Sequence, residues 1–231
     1  MTLIDDRSNI LPMVMQATKK RRRGRPPKEQ AGYSETRADL LRSGMEILTE
    51  KGFSAAGIDE ILRRVGVPKG SFYHYFGSKE AFGSELIQQY SNFFKHKLDT
   101  FLSDETLSPI DRLQAFVNDA MAGMARHNFK RGCLVGNLGQ EMGALPESFR
   151  DQLKAVFDDW QQKVERCLEA AKKAGQVSAR TNCQQAAYLF WVGWEGAVLR
   201  AKLERNPAAL KAFSSFFLAS LSPNACNIGV N

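Results

Sequence analysis

The stretch Gly66 to Phe82, reading GVPKGSFYHYFGSKEAF, constrains this chain more than any other. Gly66-Val67-Pro68 marks a turn after the short amphipathic segment Ile58 to Val65. The run that follows is too short for a core helix and too aromatic for a solvated loop. Pro68 suits the first turn of a helix, because its φ is fixed and it has no N–H to leave unpaired. Gly70 and Ser71 put almost no bulk at the front of that helix, so a backbone could approach another surface there. Phe72 and Phe76 read as buried anchors, with Tyr73, His74 and Tyr75 between them as polar donors. Gly77 ends the helix, Ser78 can N-cap the next, and Lys79 stands at its start.

Two short helices about a glycine-containing turn, the second with a small-residue front, describe a helix-turn-helix. Small residues admit the groove, while Lys69, Tyr73, His74, Tyr75 and Lys79 are placed to reach phosphates on either side. The same spacing also fits a plain helical hairpin whose aromatics fill a core. The ordered run IDEIL (58 to 62) followed by VPKGSFYHYFGSKEAF (67 to 82) resembles the DNA-binding signature of the TetR family of bacterial transcriptional repressors. The resemblance spans roughly residues 35 to 82. It implies a homodimer that binds a palindromic operator and leaves it when a small molecule occupies the C-terminal domain.

Composition narrows the alternatives. The 231 residues are 43% hydrophobic and 25% charged, as in a soluble globular protein. No apolar run approaches the ~18 residues of a membrane span, and the N-terminal apolar patch precedes its basic residues, the reverse of a secretory signal. Cys133, Cys167, Cys183 and Cys226 are scattered without a CxxC pair or nearby His, which argues against a zinc site and a disulfide scaffold. No metal or cofactor is expected, and a reducing cytoplasm is the natural compartment. The net charge of +7 is matched by seven positive charges between Lys19 and Lys28, so the basicity belongs to an arm and the body is near neutral. Residues 1–33 lack apolar periodicity and read as disordered. Within them Arg23-Gly24-Arg25-Pro26 resembles an AT-hook core, in which Arg23 and Arg25 would enter a narrow minor groove. The alternative is a basic tail that contributes only counterion release.

Along the rest of the chain the signals are helical throughout, with no strand pattern and no repeats. A first helix is expected from Ser34 or Thr36 to Lys51, stopped by Gly52, with Thr36 and Arg37 near the DNA backbone. Another is expected from about Lys79 to Leu102; in the family it joins the two domains, which makes Tyr90 a candidate to contact a ligand, with Phe94 more at home in the core. Ser108-Pro109-Ile110-Asp111 opens a helix ending near Arg126-His127. Pro146 to Ala174 carries the cleanest apolar stripe, Asn182 and Gln185 cap a helix to about Arg205, and Asn206-Pro207 opens the last. These last two helices are apolar on more than one side, so burial on two sides through dimerisation is the simplest solution, as in the family.

His127 to Glu147 is the least generic part of the second half. Gly132, Gly136, Gly139 and Gly143 interrupt what would otherwise be a helix, which is costly unless backbone must approach something closely. Cys133 follows Lys130 and Arg131, whose charges would favour its thiolate, so it is a candidate sensor thiol; an inert buried cysteine is the alternative. Asn137 is a further candidate ligand contact. Facing this segment, residues 190–202 carry Gly193 and Gly196, which would hollow one helix face between the Trp191 and Trp194 side chains for a small ligand. Glu195 shares a face with Trp191, and Arg131, Arg200 and Lys202 are the cations available for an anion. Close packing at the glycines and solvent at Arg200 and Lys202 are equally open.

The segments GCLVGNLGQEMGALPESFR (132 to 150) and WVGWEGAVLRAKLE (191 to 204) resemble those of acrylate-responsive members of the TetR family. The resemblance implies repression of genes for acrylate and dimethylsulfoniopropionate use, relieved by acrylate or a close relative. Gly132-Cys133-Leu134 and Lys202 also resemble positions in electrophile-sensing members, where thiol modification releases DNA. A cysteine-nucleophile enzyme would need a positioned base, and a nonspecific architectural DNA-binding protein would need no Trp-lined segment. The expected architecture is all-α: an arm (1–33), a three-helix helix-turn-helix DNA-binding domain (34–80), a helical ligand-binding and dimerisation domain (81–222) and a tail (223–231).

Overall fold

The structure, a computed structural model, describes residues 28–223, with no strand among them. Arg23, Arg25 and the AT-hook reading, Cys226 and all but the first residue of the tail lie outside the described residues. Four helices form the N-terminal part and the connection out of it: α1 (Lys28–Lys51), α2 (Ile58–Val65), α3 (Ser71–Phe76) and α4 (Lys79–Leu102). Five more follow: α5 (Pro109–Arg126), α6 (Leu134–Gln140), α7 (Ser148–Lys173), α8 (Cys183–Glu204) and α9 (Ala208–Leu221).

Most helix ends sit where capping chemistry places them. The Ser78 hydroxyl accepts from the Ala81 N–H at 2.9 Å, that of Ser108 from Asp111, and the Asn182 side chain from the Gln185 N–H at 3.0 Å. Gly66 ends α2 in the left-handed conformation at φ 74°, as a C-terminal glycine does. Three expectations fail. Helix α1 begins at Lys28 rather than Ser34 or Thr36, because Lys-Glu-Gln-Ala are good helix formers after Pro26-Pro27 and no competing cap intervenes. Pro68 opens a turn rather than a helix: its carbonyl accepts from the Ser71 N–H at 3.0 Å, and α3 starts there. The glycine-interrupted segment contains a helix after all, α6, in which burial of Leu134, Val135 and Leu138 offsets the entropy of Gly136 and Gly139.

Helix α7 packs on α4, α5 and α8, and α8 on α9, while α1 touches α2, α4 and α6. Two close crossings depend on glycine. A Cβ on Gly44 would stand 2.4 Å from the Phe82 ring, and one on Gly83 would stand 2.5 Å from Phe149. Within the C-terminal bundle, Trp160 is fully buried with its ring 4.3 Å from Phe94 and 4.9 Å from Trp191. Burial of such aromatics on both sides of α7 accounts for the rigidity of the frame that carries the site.

Candidate functional site

Helix α3 divides its residues as a reading helix must. Phe72 and Phe76, four apart, are buried, while Tyr73 and His74 are exposed. The position of a Cβ on Gly70 meets only open space, so backbone could close on another surface there. Ser71 and Tyr75 are half-buried; Tyr75 packs on Tyr33 of α1 at 4.6 Å between ring centroids, and His74 meets the same ring edge-on. Lys69 is exposed and pairs with Asp59 at 2.9 Å across the turn. Thr36 is half-buried on α1, one turn from Tyr33.

Two residues expected at the DNA backbone are engaged elsewhere. Both terminal nitrogens of Arg37 donate to the Glu85 carboxylate, and its guanidinium lies 5.0 Å from the Phe76 ring. It clamps α1 and α3 onto α4. Lys79 turns back so that its ammonium donates to the Phe53 carbonyl at 3.0 Å and sits over the Phe53 ring; partial burial lowers its pKa. Periodicity cannot reveal such fold-back, because Glu85 and Phe53 are remote in sequence.

The end of α1 is held by the second half of the chain. A helix C-terminus leaves carbonyls without intrahelical partners. Here the Asn137 amide donates to the Leu48 and Thr49 carbonyls at 3.0 and 2.9 Å. Gly132 N–H and the Lys202 ammonium donate to the Thr49 carbonyl as well. Glu141 accepts from the Phe53 and Ser54 N–H groups at 3.1 and 2.7 Å, over Gly52, where φ is 85° and a Cβ would fall 1.6 Å from Oε1. Asn137 and Lys202, 3.2 Å apart, are therefore a joint between α6, α8 and α1 rather than a ligand cradle.

A cavity of about 160 Å³ opens beside this joint. Its wall combines Met45 and Thr49 of α1 with Tyr90, Phe93 and Phe94 of α4, the end of α5, residues 131–133 and one face of α8. Of the expected ligand residues it brings together Tyr90, Arg131, Cys133, Trp194 and Glu195. Trp191 stands behind it, packed on Trp160, and among the described residues the buried indole N–H groups of both lack a hydrogen-bond partner. Arg200 is exposed and paired with Glu204. The α8 glycines do not hollow the site: the Phe213 ring fills the space at Gly193, and Gly196 is exposed. Sequence reasoning missed Lys97, Arg126 and His127, which also line it. Only the helical register of α4 and α5 relative to α8 could have pointed to them.

Electrostatics overturn the expected thiolate. Arg131 pairs with Glu46 at 3.2 Å and Lys130 is exposed, so neither charge serves Cys133. Burial pushes the Cys133 thiol well above its ordinary range, and the neighbouring Glu195 carboxyl raises it further. The sulfur instead N-caps α6, accepting from the Gly136 N–H at 3.4 Å. Burial also raises Glu195, to about 7, against a smaller opposing hydrogen bond from Cys133. The Tyr90 hydroxyl is pushed well up by the same burial and reaches the Cys133 sulfur. Cys167 and Cys183 are buried too, their thiols raised to about 11 chiefly by desolvation. No group of residues suited to a metal ion occurs among the described residues. No described helix is long and apolar enough to cross a membrane.

Known proteins share this arrangement. Residues 40–86 match the model for bacterial regulatory proteins of the tetR family, and residues 109–217 match the tetracyclin repressor-like C-terminal domain. The transcriptional regulator AcuR of Cereibacter sphaeroides is 50% identical over 198 residues, covering 86% of this chain and 90% of that protein. The HTH-type transcriptional repressor NemR of Escherichia coli (strain K12) is 33% identical over 177 residues, covering 74% and 86%. The crystal structure of a regulatory protein TetR from Rhodobacter sphaeroides superposes with a TM-score of 0.78 at 50% identity, over 79% of this chain and 97% of that one. The relatives are transcriptional regulators and not enzymes, which removes the cysteine-nucleophile reading. The chain belongs to the TetR family of transcriptional repressors, with an N-terminal helix-turn-helix that binds operator DNA.

Proposed function

We propose that this repressor binds a palindromic operator as a homodimer in the cytoplasm and is released by acrylate or a related small unsaturated carboxylate. Its targets on this reading are genes for acrylate and dimethylsulfoniopropionate use. The observation that carries the inducible part is the cavity of about 160 Å³ whose wall includes Met45 and Thr49 of the DNA-side helix α1. A molecule seated there touches both halves of the chain at once, so its binding energy can favour one arrangement of the two over another. The size supports a small inducer, since a cavity of about 150 Å³ holds benzene. The likeness of residues 132–150 and 191–204 to acrylate-responsive family members supports acrylate as that inducer.

Gly70, Ser71, Tyr73, His74 and Tyr75 are the residues we assign to groove and phosphates, with Lys69 beside them and Arg23 and Arg25 in the arm. Tyr90, Arg131, Cys133, Trp194 and Glu195 are assigned to the inducer. Dimerisation is supported by an apolar face left in water: Tyr188, Val192, Leu199 and Leu203 recur at helical spacing on α8, all exposed, beside exposed Phe216 on α9.

The test is release of operator DNA, found by selection from random sequence, in the presence of acrylate and of saturated propionate. Both should release it, and a Cys133→Ser variant should respond as well, because a buried, protonated thiol is a poor nucleophile. A second reading, thiol modification as the signal, is favoured by one feature, the Glu195 carboxyl beside Cys133 as a proton acceptor. A stoichiometric acrylate adduct on Cys133 by intact mass, with no release by propionate, would establish it and refute reversible capture.

A further inference from the structure

Glu195 is a carboxyl in surroundings unsuited to a permanent charge. The inner cations of the cavity are already engaged, Lys97 by Asp119 and Arg131 by Glu46. Among the described residues no lysine or arginine is paired with Glu195. Its neighbours in the cavity wall are Cys133 and Tyr90. Gly136 is what admits it: a Cβ there would stand 2.0 Å from the Glu195 Oε2 and 3.6 Å from the Cys133 Cβ. An acid set against Cys133 in a largely apolar wall, with no cation paired to it, is where a ligand can supply a polar partner.

We propose that Glu195, in its neutral form, donates a hydrogen bond to the carboxylate of the inducer, so that the cavity takes small monocarboxylic acids as a proton-sharing pair. This rests on the carboxylate reading of the cavity and adds how the anion is tolerated there. Two carboxyl groups in one dry site cannot both ionise; they share one proton, as in the paired acids of aspartic proteases. Below pH 7 the proton is Glu195's own, above it one is taken up from solvent, and in both cases it stays between the two oxygens without any covalent change. The hydrocarbon part then lies against Phe93, Phe94, Trp194 and Val198. Exposed Arg126 at the end of α5 adds positive potential at the rim.

A dependence on pH follows, with a fixed sign. Burial holds Glu195 at about 7, so the donor form dominates below neutrality and is lost above it. Acid affinity is flat below pH 7 until the free ligand itself takes up a proton, and above pH 7 it falls about tenfold per unit. Cys133 and Tyr90, both raised well above their ordinary values, stay neutral through this window. The charged groups around the cavity are Lys97 with Asp119, Arg131 with Glu46, and Arg126. His127 is the other cavity residue of a type that titrates near neutrality.

The experiment is calorimetric titration of the full-length protein with acrylate, propionate and butyrate from pH 6 to 9, in two buffers of different ionisation heat. The expected result is a dissociation constant rising about tenfold per unit above pH 7, with proton uptake near zero at pH 6 and close to one per site above about pH 8. Glu195→Gln should flatten the dependence and abolish proton uptake, whereas His127→Gln should keep both. Acrylamide should show the opposite sign, since its amide donates to the ionised carboxylate. Acid affinity independent of pH, no uptake in the wild-type protein, a slope that survives Glu195→Gln or one that disappears in His127→Gln would each overturn the proposal. So would failure of all three acids to bind at every pH. Failure of acrylate alone, with the other acids showing the expected slope, refutes acrylate as inducer and supports the role of Glu195. Proton uptake that persists in His127→Gln decides the matter even if Glu195→Gln does not fold.

Discussion

The reading face and the cavity satisfy their polar groups in opposite ways. On α3, Tyr73 and His74 stand in water, and their side chains are free to exchange solvent for phosphate. In the cavity, Cys133 is buried, Glu195 and Tyr90 are half-buried, and the three share one wall. The first face comes from one continuous run of residues, the second from α1, α4, α5, the segment before α6, and α8. A surface that trades water for a charged partner can be built from a single helix. A site that must exclude water needs walls from several elements, and each wall ties the site to a different part of the fold. That is why the cavity, and not the reading face, is where a small molecule can influence both halves.

The joint between the regions should be the most fragile point. Gly52→Ala forces a Cβ onto φ 85° and into Glu141, and should cost about 1–3 kcal/mol, seen as a loss of several degrees in Tm. An unchanged Tm would mean that Glu141 does not hold the end of α1. Glu195→Gln should act in the opposite direction. The folded-state pKa of Glu195, about 7, lies above its ordinary value of 4.5, so its contribution is best below pH 4.5 and worsens up to pH 7. The variant should therefore be more stable than the parent by on the order of 1–2 kcal/mol at pH 8, with the gain nearly gone at pH 5, in urea unfolding at the two pH values. Equal effects at both would show that the carboxyl is not desolvated.

Asn137→Ala removes two donors from the Leu48 and Thr49 carbonyls while leaving the cavity wall in place. Inducer affinity of the free protein should hold, but the concentration needed to release DNA should rise about fivefold, equivalent to about 1 kcal/mol of coupling. Coupling that is unaffected would point to α4 alone as the link. The smallest effect separates two lysines on the reading side. Lys69→Ala should lower the salt dependence of operator binding by about one unit of slope, while Lys79→Ala should leave the slope and lower Tm. A slope change for Lys79 instead would mean that it leaves Phe53 when DNA arrives.

The helices, their caps and the helix-turn-helix were legible because each depends on neighbours within four residues. Ser78, Ser108 and Asn182 cap what they were expected to cap, and Phe72 and Phe76 anchor α3. The same local reading misjudged Arg37, Lys79 and Cys133. Their partners, Glu85, Phe53 and Glu195, lie 26 or more residues away, and a charge next in sequence says little about a charge next in space. Likewise Gly193 signals a close approach, but only the packing of α9 shows that Phe213 makes it. By itself, then, the sequence determined an all-α chain with an outward reading helix, since periodicity, caps and turn glycines are properties of the chain alone, and its resemblance to the TetR family added the repressor reading. The tertiary structure decided which acid is stripped of water, which lysine is spoken for and where a small molecule fits, because desolvation and ion pairing depend on what the fold brings within a few ångströms.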